Sequence, residues 1–253
     1  MLRLQREKAR GRWTFSARTV GWVTTYTLLC VGAAFLATPV AGREGSSSTA
    51  SRYFTSYEEP LTQYRAYRRM HARCERFNQE AWVEAWTELD GKSFRFEIVS
   101  ERGSEYVRNK VLKTVLKREQ ELITSGHAGR ASLSATNYEF LEADVQPDGH
   151  RYIVLKPKRK DILLVDGRMV LSPDGTELLR VEGRLTKNPS FWTSLVNVVR
   201  HYAKLDGVRV PVATESVAKV KFAGQSRMEV QYEYESINGR PVSDEARQLA
   251  AAR

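Results

Sequence analysis

Six glycine turns set at short intervals constrain this chain more than any other feature of its sequence. They are Asp90-Gly91, Pro147-Asp148-Gly149, Asp166-Gly167, Pro173-Asp174-Gly175, Asp206-Gly207 and Ala223-Gly224. Glycine accepts the positive φ that tight hairpin turns demand. Strands joined this way run antiparallel, because a parallel neighbour needs a long crossover. The spacing predicts strands near 137–146, 150–156, 160–166, 168–172, 177–186, 193–204, 208–221 and 226–236. Upstream, Glu80–Leu89 alternates with a period of two. One face carries Trp82 and Trp86 among glutamates, and the other carries Ala81, Val83, Ala85 and Leu89. Beyond Asp90-Gly91, Phe94, Phe96 and Ile98 alternate with Ser93, Arg95 and Glu97, which completes a β-hairpin.

Helical spacing recurs in three places. Leu61, Tyr64, Tyr67 and Met70 or His71 predict a helix over 59–76. A second, over 104–124, has Ser104 as its cap and Val107, Val111, Leu112, Val115, Leu116 and Leu122 as its apolar stripe. A short last helix starts at Ser243, with Asp244 and Glu245 in its first turn. Many strands with few helices predict an α+β fold, mainly β: a strongly curved antiparallel sheet, an incomplete barrel, with helices covering its concave face.

The first 42 residues hold Arg3, Arg6, Lys8, Arg10, Arg12 and Arg18 against the single acid Glu7, and nothing charged stands between Thr19 and Gly42. A basic head, an apolar core at Leu28–Ala37 and the small-residue exit Val40-Ala41-Gly42 form the layout of a secretory signal, with cleavage expected after Gly42. The uncharged span also has the length of an uncleaved membrane anchor, since a crossing takes about 20 residues. Either way the remainder is expected to be exported, in the periplasm of a bacterial-type envelope, free or tethered to the inner membrane by 19–42. Residues 43–57 read as a polar flexible linker, 58–240 as one domain, and 241–253 as the terminal helix.

The net charge of +10 falls to +5 once residues 1–42 are set aside, so no nucleic-acid partner is expected. Cys30 lies in the leader, which leaves Cys74 without a disulfide partner. His71 and Cys74 share a helical spacing, but a zinc site needs three or four ligands and no others are near in sequence, so no metal or other cofactor is expected. The sequence holds no Gly-x-Ser-x-Gly elbow, Walker loop or His-Glu-x-x-His motif, and the expected function is non-enzymatic.

Several runs carry a family likeness. These are Lys156-Pro157-Lys158-Arg159-Lys160-Asp161 with Val165-Asp166-Gly167, then Leu171–Thr176, Arg180-Val181-Glu182-Gly183 and Lys187–Trp192. The strands at Val196–Tyr202, Gly207–Val212 and Val230–Tyr234 complete the set. In order and turn placement, residues 58–240 resemble LolA-like carriers of outer-membrane lipoproteins. The resemblance implies a curved, incompletely closed sheet whose hollow takes up lipid or lipoprotein acyl chains. The same architecture also serves as an envelope sensor, so fold alone does not assign the role. The long charged helix after Ser104 departs from the carriers, and no residue here matches their lid-locking arginine.

The candidate lining of the hollow is Trp82, Trp86, Phe94, Phe96, Ile98, Val111, Val115, Phe191 and Trp192. Trp82 and Trp86 face either the hollow or, beside Glu80, Glu84 and Glu88, the outside. Lys156, Lys158, Arg159 and Lys160 form a candidate docking patch for an anionic membrane surface or an acidic envelope protein, against the plainer reading of a solvated turn.

Overall fold

Tyr64, Ala66, Arg68, Met70 and Ala72 are buried and their neighbours are not, and that period of two makes Gln63–Cys74 a strand, β1. The helix expected over 59–76 is therefore corrected. Its apparent helical repeat drew on both faces of a strand, with Tyr64 and Met70 in the core and Tyr67 and His71 on the opposite side. The charge of Arg68, in the middle of the buried row, disguised the alternation.

The computed structural model describes residues 49–251, apart from 56–57, 143–146, 192 and 222–223. The signal or anchor expected in 1–42 lies outside the described residues, as does Trp192. The further strands are β2 (Gln79–Asp90), β3 (Ser93–Gly103), β4 (Tyr138–Glu142), β5 (Arg151–Pro157), β6 (Val165–Leu171), β7 (Leu178–Leu185), β8 (Thr193–Leu205), β9 (Val208–Val220), β10 (Gly224–Ile237) and β11 (Arg240–Pro241). They form one antiparallel sheet of eleven strands in the order β3-β2-β1-β10-β9-β8-β7-β6-β5-β4, with β11 on β10. The sheet is not closed, because β3 and β4 end it at opposite edges. Sequential hairpins build each half, and the β1–β10 ladder joins the two ends of the chain.

The β2–β3 hairpin turns through Gly91 and Lys92, since Asp90 pairs with Ser93, and Gly91 has a φ of 57°. Asp166-Gly167, expected as a turn between strands at 160–166 and 168–172, lies inside β6 instead. There Gly167 faces Gly183 of β7. A Cβ on Gly167 would stand 2.1 Å from the Glu182 carbonyl oxygen, so this glycine serves close backbone approach.

Helices cover one face. Helix α1 (Thr49–Thr55) falls within the segment expected as a linker and buries Tyr53. Helix α2 (Glu105–Val107), capped by Ser104, a π-helical turn (Arg108–Leu112) and α3 (Lys113–Thr124) form one continuous roof. Its stripe of Val107, Leu112, Val115, Leu116 and Ile123 joins inward residues of β1, β2 and β10 in the main core. A second core gathers Tyr53, Leu133, Tyr138, Ile153, Leu155 and Met169 over the β4–β7 half. Helix α4 (Asp244–Ala251) closes the described chain. No helix among the described residues is long and apolar enough to cross a membrane.

Candidate functional site

Of the residues expected to line a hollow, Phe94 and Val115 are buried in the main core, and Phe96, Ile98 and Val111 pack at its margin. Trp82 and Trp86 lie on the other face of the sheet, the outer of the two orientations, which corrects the expectation that Trp82 lines a hollow. Ala81, Val83, Ala85 and Leu89 take the core positions of β2, so the tryptophans share their face with the glutamates. There they join a stacked row. His71 lies parallel to Trp82 at 4.6 Å and Arg102 covers it at 4.3 Å, while Arg65 lies 4.3 Å from the centroid of Trp86. His71 also faces the Glu80 carboxylate, at 3.5 Å. Phe191 is corrected as well: it is 79% exposed, beneath the Lys221 ammonium.

The basic cluster is tied to the chain around it. Lys158 donates to the Ala135 carbonyl at 2.6 Å, and Arg159 donates to Asn137 Oδ1 at 2.7 Å and to the Arg130 carbonyl at 3.0 Å. Lys156 lies 3.6 Å from Asp166, and Lys160 is exposed. These bonds tie Lys158 and Arg159 to the loop between Arg130 and Asn137. The buried Asp161 is the hub, accepting from Arg130 at 2.6 Å and from the Leu163 amide at 3.2 Å. Burial raises the pKa of this carboxyl, but Arg130 and the Leu163 amide outweigh that and hold it below its ordinary value of 3.8. A depressed carboxylate contributes stability above that value and loses it as the pH falls further. Asp161→Ala is expected to cost about 2 kcal/mol at neutral pH, and the cost should shrink in acid. Urea unfolding at pH 7 and pH 3 measures both.

Beneath the roof, Arg68 of β1 and Glu119 of α3 form a buried pair, 1% and 0% exposed. The guanidinium donates twice to the carboxylate, at 2.6 and 3.0 Å, and once to the Tyr64 hydroxyl at 2.6 Å. The rings of Tyr232 and Phe94 lie 4.7 and 5.3 Å from its central carbon. Burial opposes the charge on Arg68, yet Glu119 holds its pKa well above the ordinary value. The pair fixes the roof to the sheet in one register. Neither residue was singled out in the sequence, although Glu119 continues the stripe of Leu112, Val115 and Leu116 at helical spacing.

A larger space lies elsewhere, where the sheet splits. The β9–β10 ladder stops at Ala213 and Gln231. Beyond that point β9 stays with β8 down to Val208, and β10 stays with β1 up to Ile237. The Tyr234 hydroxyl crosses the gap, donating to the Pro211 carbonyl at 2.9 Å, and at its far end Glu59 pairs with Val208 of β9 while accepting from Asn238 and Arg240 just beyond β10. Helix α4 spans it on the covered side. Its capping Ser243 bonds the Asp206 carboxylate in the β8–β9 turn, and the Val242 amide bonds the Glu235 carbonyl of β10. The resulting cleft has a volume of ≈ 700 Å³. Leu205, Val212, Tyr232 and Tyr234 line it from the core side, and Tyr67 and Trp86 from the outer face.

The chain matches no model of a known protein family, and no curated protein sequence is significantly similar to it. The site is therefore read from its own geometry. Ligand pockets typically measure about 300–1,000 Å³, and the cleft falls within that range. A second space, of ≈ 50 Å³ between Leu133, Tyr138, Val165 and Val198, falls far below it.

Proposed function

We propose that this chain is an exported, non-enzymatic binder of lipid or lipoprotein acyl chains, with a part in outer-membrane lipoprotein sorting. The observation that carries the reading is the cleft at the sheet split, ≈ 700 Å³ in volume, walled by Leu205, Val212, Tyr232 and Tyr234 of the main core. An open antiparallel sheet with a helical roof on one face also accords with the LolA-like resemblance. Each methylene moved from water into such a wall contributes about 0.8 kcal/mol, so a single fatty chain supplies several kcal/mol. The partners are then acyl chains and the membrane surface or envelope protein that delivers them.

One observation favours a second reading, an envelope sensor or protein-interaction domain of the same architecture, tethered by 19–42. The space between the two cores is only ≈ 50 Å³, which suits a filled interior.

Native mass spectrometry of the gently purified full-length chain, with organic extraction, separates the two. The carrier reading expects phospholipid or acylated peptide bound at near-equal stoichiometry. A clean apo mass, unchanged by added lysophospholipid or acylated peptide, sinks it and leaves the interaction domain.

A further inference from the structure

The split between β9 and β10 opens the sheet itself. Along β10, Tyr232 and Tyr234 belong to the covered face, while Gln231, Glu233 and Glu235 lie on the other, and the cleft touches both sets. Tyr67 and Trp86, which pair across β1 and β2 with rings 5.1 Å apart, extend its wall on the outer side. A ligand can therefore reach the core without moving the α2–α3 roof, which Arg68 and Glu119 clamp to β1. Helix α4 is held differently. The contacts at Ser243 and Val242 fix its N-terminal end, and Gln248 and Ala250, towards the other end, line the cleft.

The charges around the mouth are already matched. Glu233 is paired with Arg69, Glu235 with Arg65 and Arg247 with Asp244. A ligand head with a net charge would meet no unmatched counter-charge among these and would have to compete with existing pairs. A neutral or zwitterionic head would not.

We infer that an amphiphile with one acyl chain and a head of no net charge enters from the outer face of the sheet, through the β9–β10 split, with α4 as the wall that moves. This rests on the acyl-chain reading above and adds the route and the head-group class.

The test uses the full-length chain and lysophosphatidylcholine brominated on its acyl chain, since bromine quenches tryptophan emission on contact. Affinity is measured separately by equilibrium dialysis of the unbrominated lipid. Trp86 lines the route, and Trp82, two residues of alternation away on the same face, does not. Quenching is expected in the wild type and in Trp82→Phe, and is expected to fall in Trp86→Phe to the level set by Trp13, Trp22 and Trp192, which every variant keeps. Ala250→Trp, which fills the cleft from the last turn of α4, should weaken binding by about tenfold or more. Lysophosphatidylglycerol, whose head is anionic, should bind about tenfold more weakly than the choline lipid. Binding with quenching that does not fall in Trp86→Phe, or an affinity that Ala250→Trp leaves unchanged, overturns the route while the acyl-chain reading stands. Equal affinity for the two lipids overturns the head-group class. No binding of either lipid to the wild type removes the route and the acyl-chain reading together.

Discussion

Arg68→Met is expected to lower the free energy of unfolding by about 3–5 kcal/mol, the largest loss from any single side chain considered. The substitution leaves Glu119 fully buried with no cation to answer it, and removes the donor that reaches the Tyr64 hydroxyl. Glu119→Met should cost a similar amount by stranding the guanidinium. The double variant Arg68→Met/Glu119→Met is expected to recover most of the loss, because well-packed apolar side chains often replace a buried ion pair with little penalty or a gain of about 1–4 kcal/mol. A double-mutant cycle in guanidinium chloride, followed by near-ultraviolet circular dichroism, gives all four values. If either single variant proves as mild as the double, the pair is open to water and does not clamp the roof. Recovery of stability in the double variant would also show that the pair sets the register of the roof more than the stability of the fold, since it contributes direction at little net energy.

The second large effect belongs to Gly167. Any side chain there puts its Cβ 2.1 Å from the Glu182 carbonyl oxygen and 2.6 Å from the Gly183 Cα. Backbone cannot swing aside as a long side chain can, so β6 and β7 must separate. Gly167→Ala should cost about 3 kcal/mol or more. Gly183→Ala meets the same strand pair from the other side, 2.4 Å from the Asp166 carbonyl oxygen, and should cost a comparable amount. The two losses should combine to less than their sum, because the first already parts the strands. Gly129→Ala is the control. Nothing lies within 4 Å of a Cβ there, and the expected change is within about 0.5 kcal/mol. Thermal or urea unfolding of the four chains reads the series, and a mild Gly167→Ala would mean that β6 and β7 are not in close register at this point.

The hairpins from β2 to β3 and from β8 to β10 were legible because their alternation is clean and their turns carry glycine. Two departures of the fold from the sequence pattern share one cause: a residue type with a common use serves a rarer one here. Asp166-Gly167 has the composition of a turn, but the glycine serves backbone contact in the middle of a strand. Arg68 has the look of a surface residue, and its charge broke the buried row of β1, leaving a false helical repeat. The compensating acid sits 51 residues away, and nothing local announces the match. The faces of β2 were undecided for a related reason. Tryptophan suits both a core and a stacked outer row, and the small Ala81 and Ala85 are core here because the roof packs close against them. The cleft was beyond sequence reading altogether. It arises from where one ladder stops, and the residues on either side of Gln231 look alike along the chain. Val230, Tyr232 and Tyr234 were recognisable as one face of a strand, yet the parting of that strand from its neighbour is a property of the assembled sheet.

The position of β1 beside β10 has a consequence for how the molecule is made. Arg65 and Glu235, bonded across that seam, are 170 residues apart in sequence. A chain synthesised from its N-terminus forms the β1–β3 hairpins early and then holds one long edge of β1 unpaired until β10 arrives. Loop closure over that distance must precede the contacts that reward it, which makes the step slow. Meanwhile the waiting edge offers its backbone groups to any other strand. Assembly of this sheet is thus most vulnerable at an inner seam, covered on both sides in the finished structure, and a chain cut before β10 would be left with an open edge of eleven residues paired in the native seam.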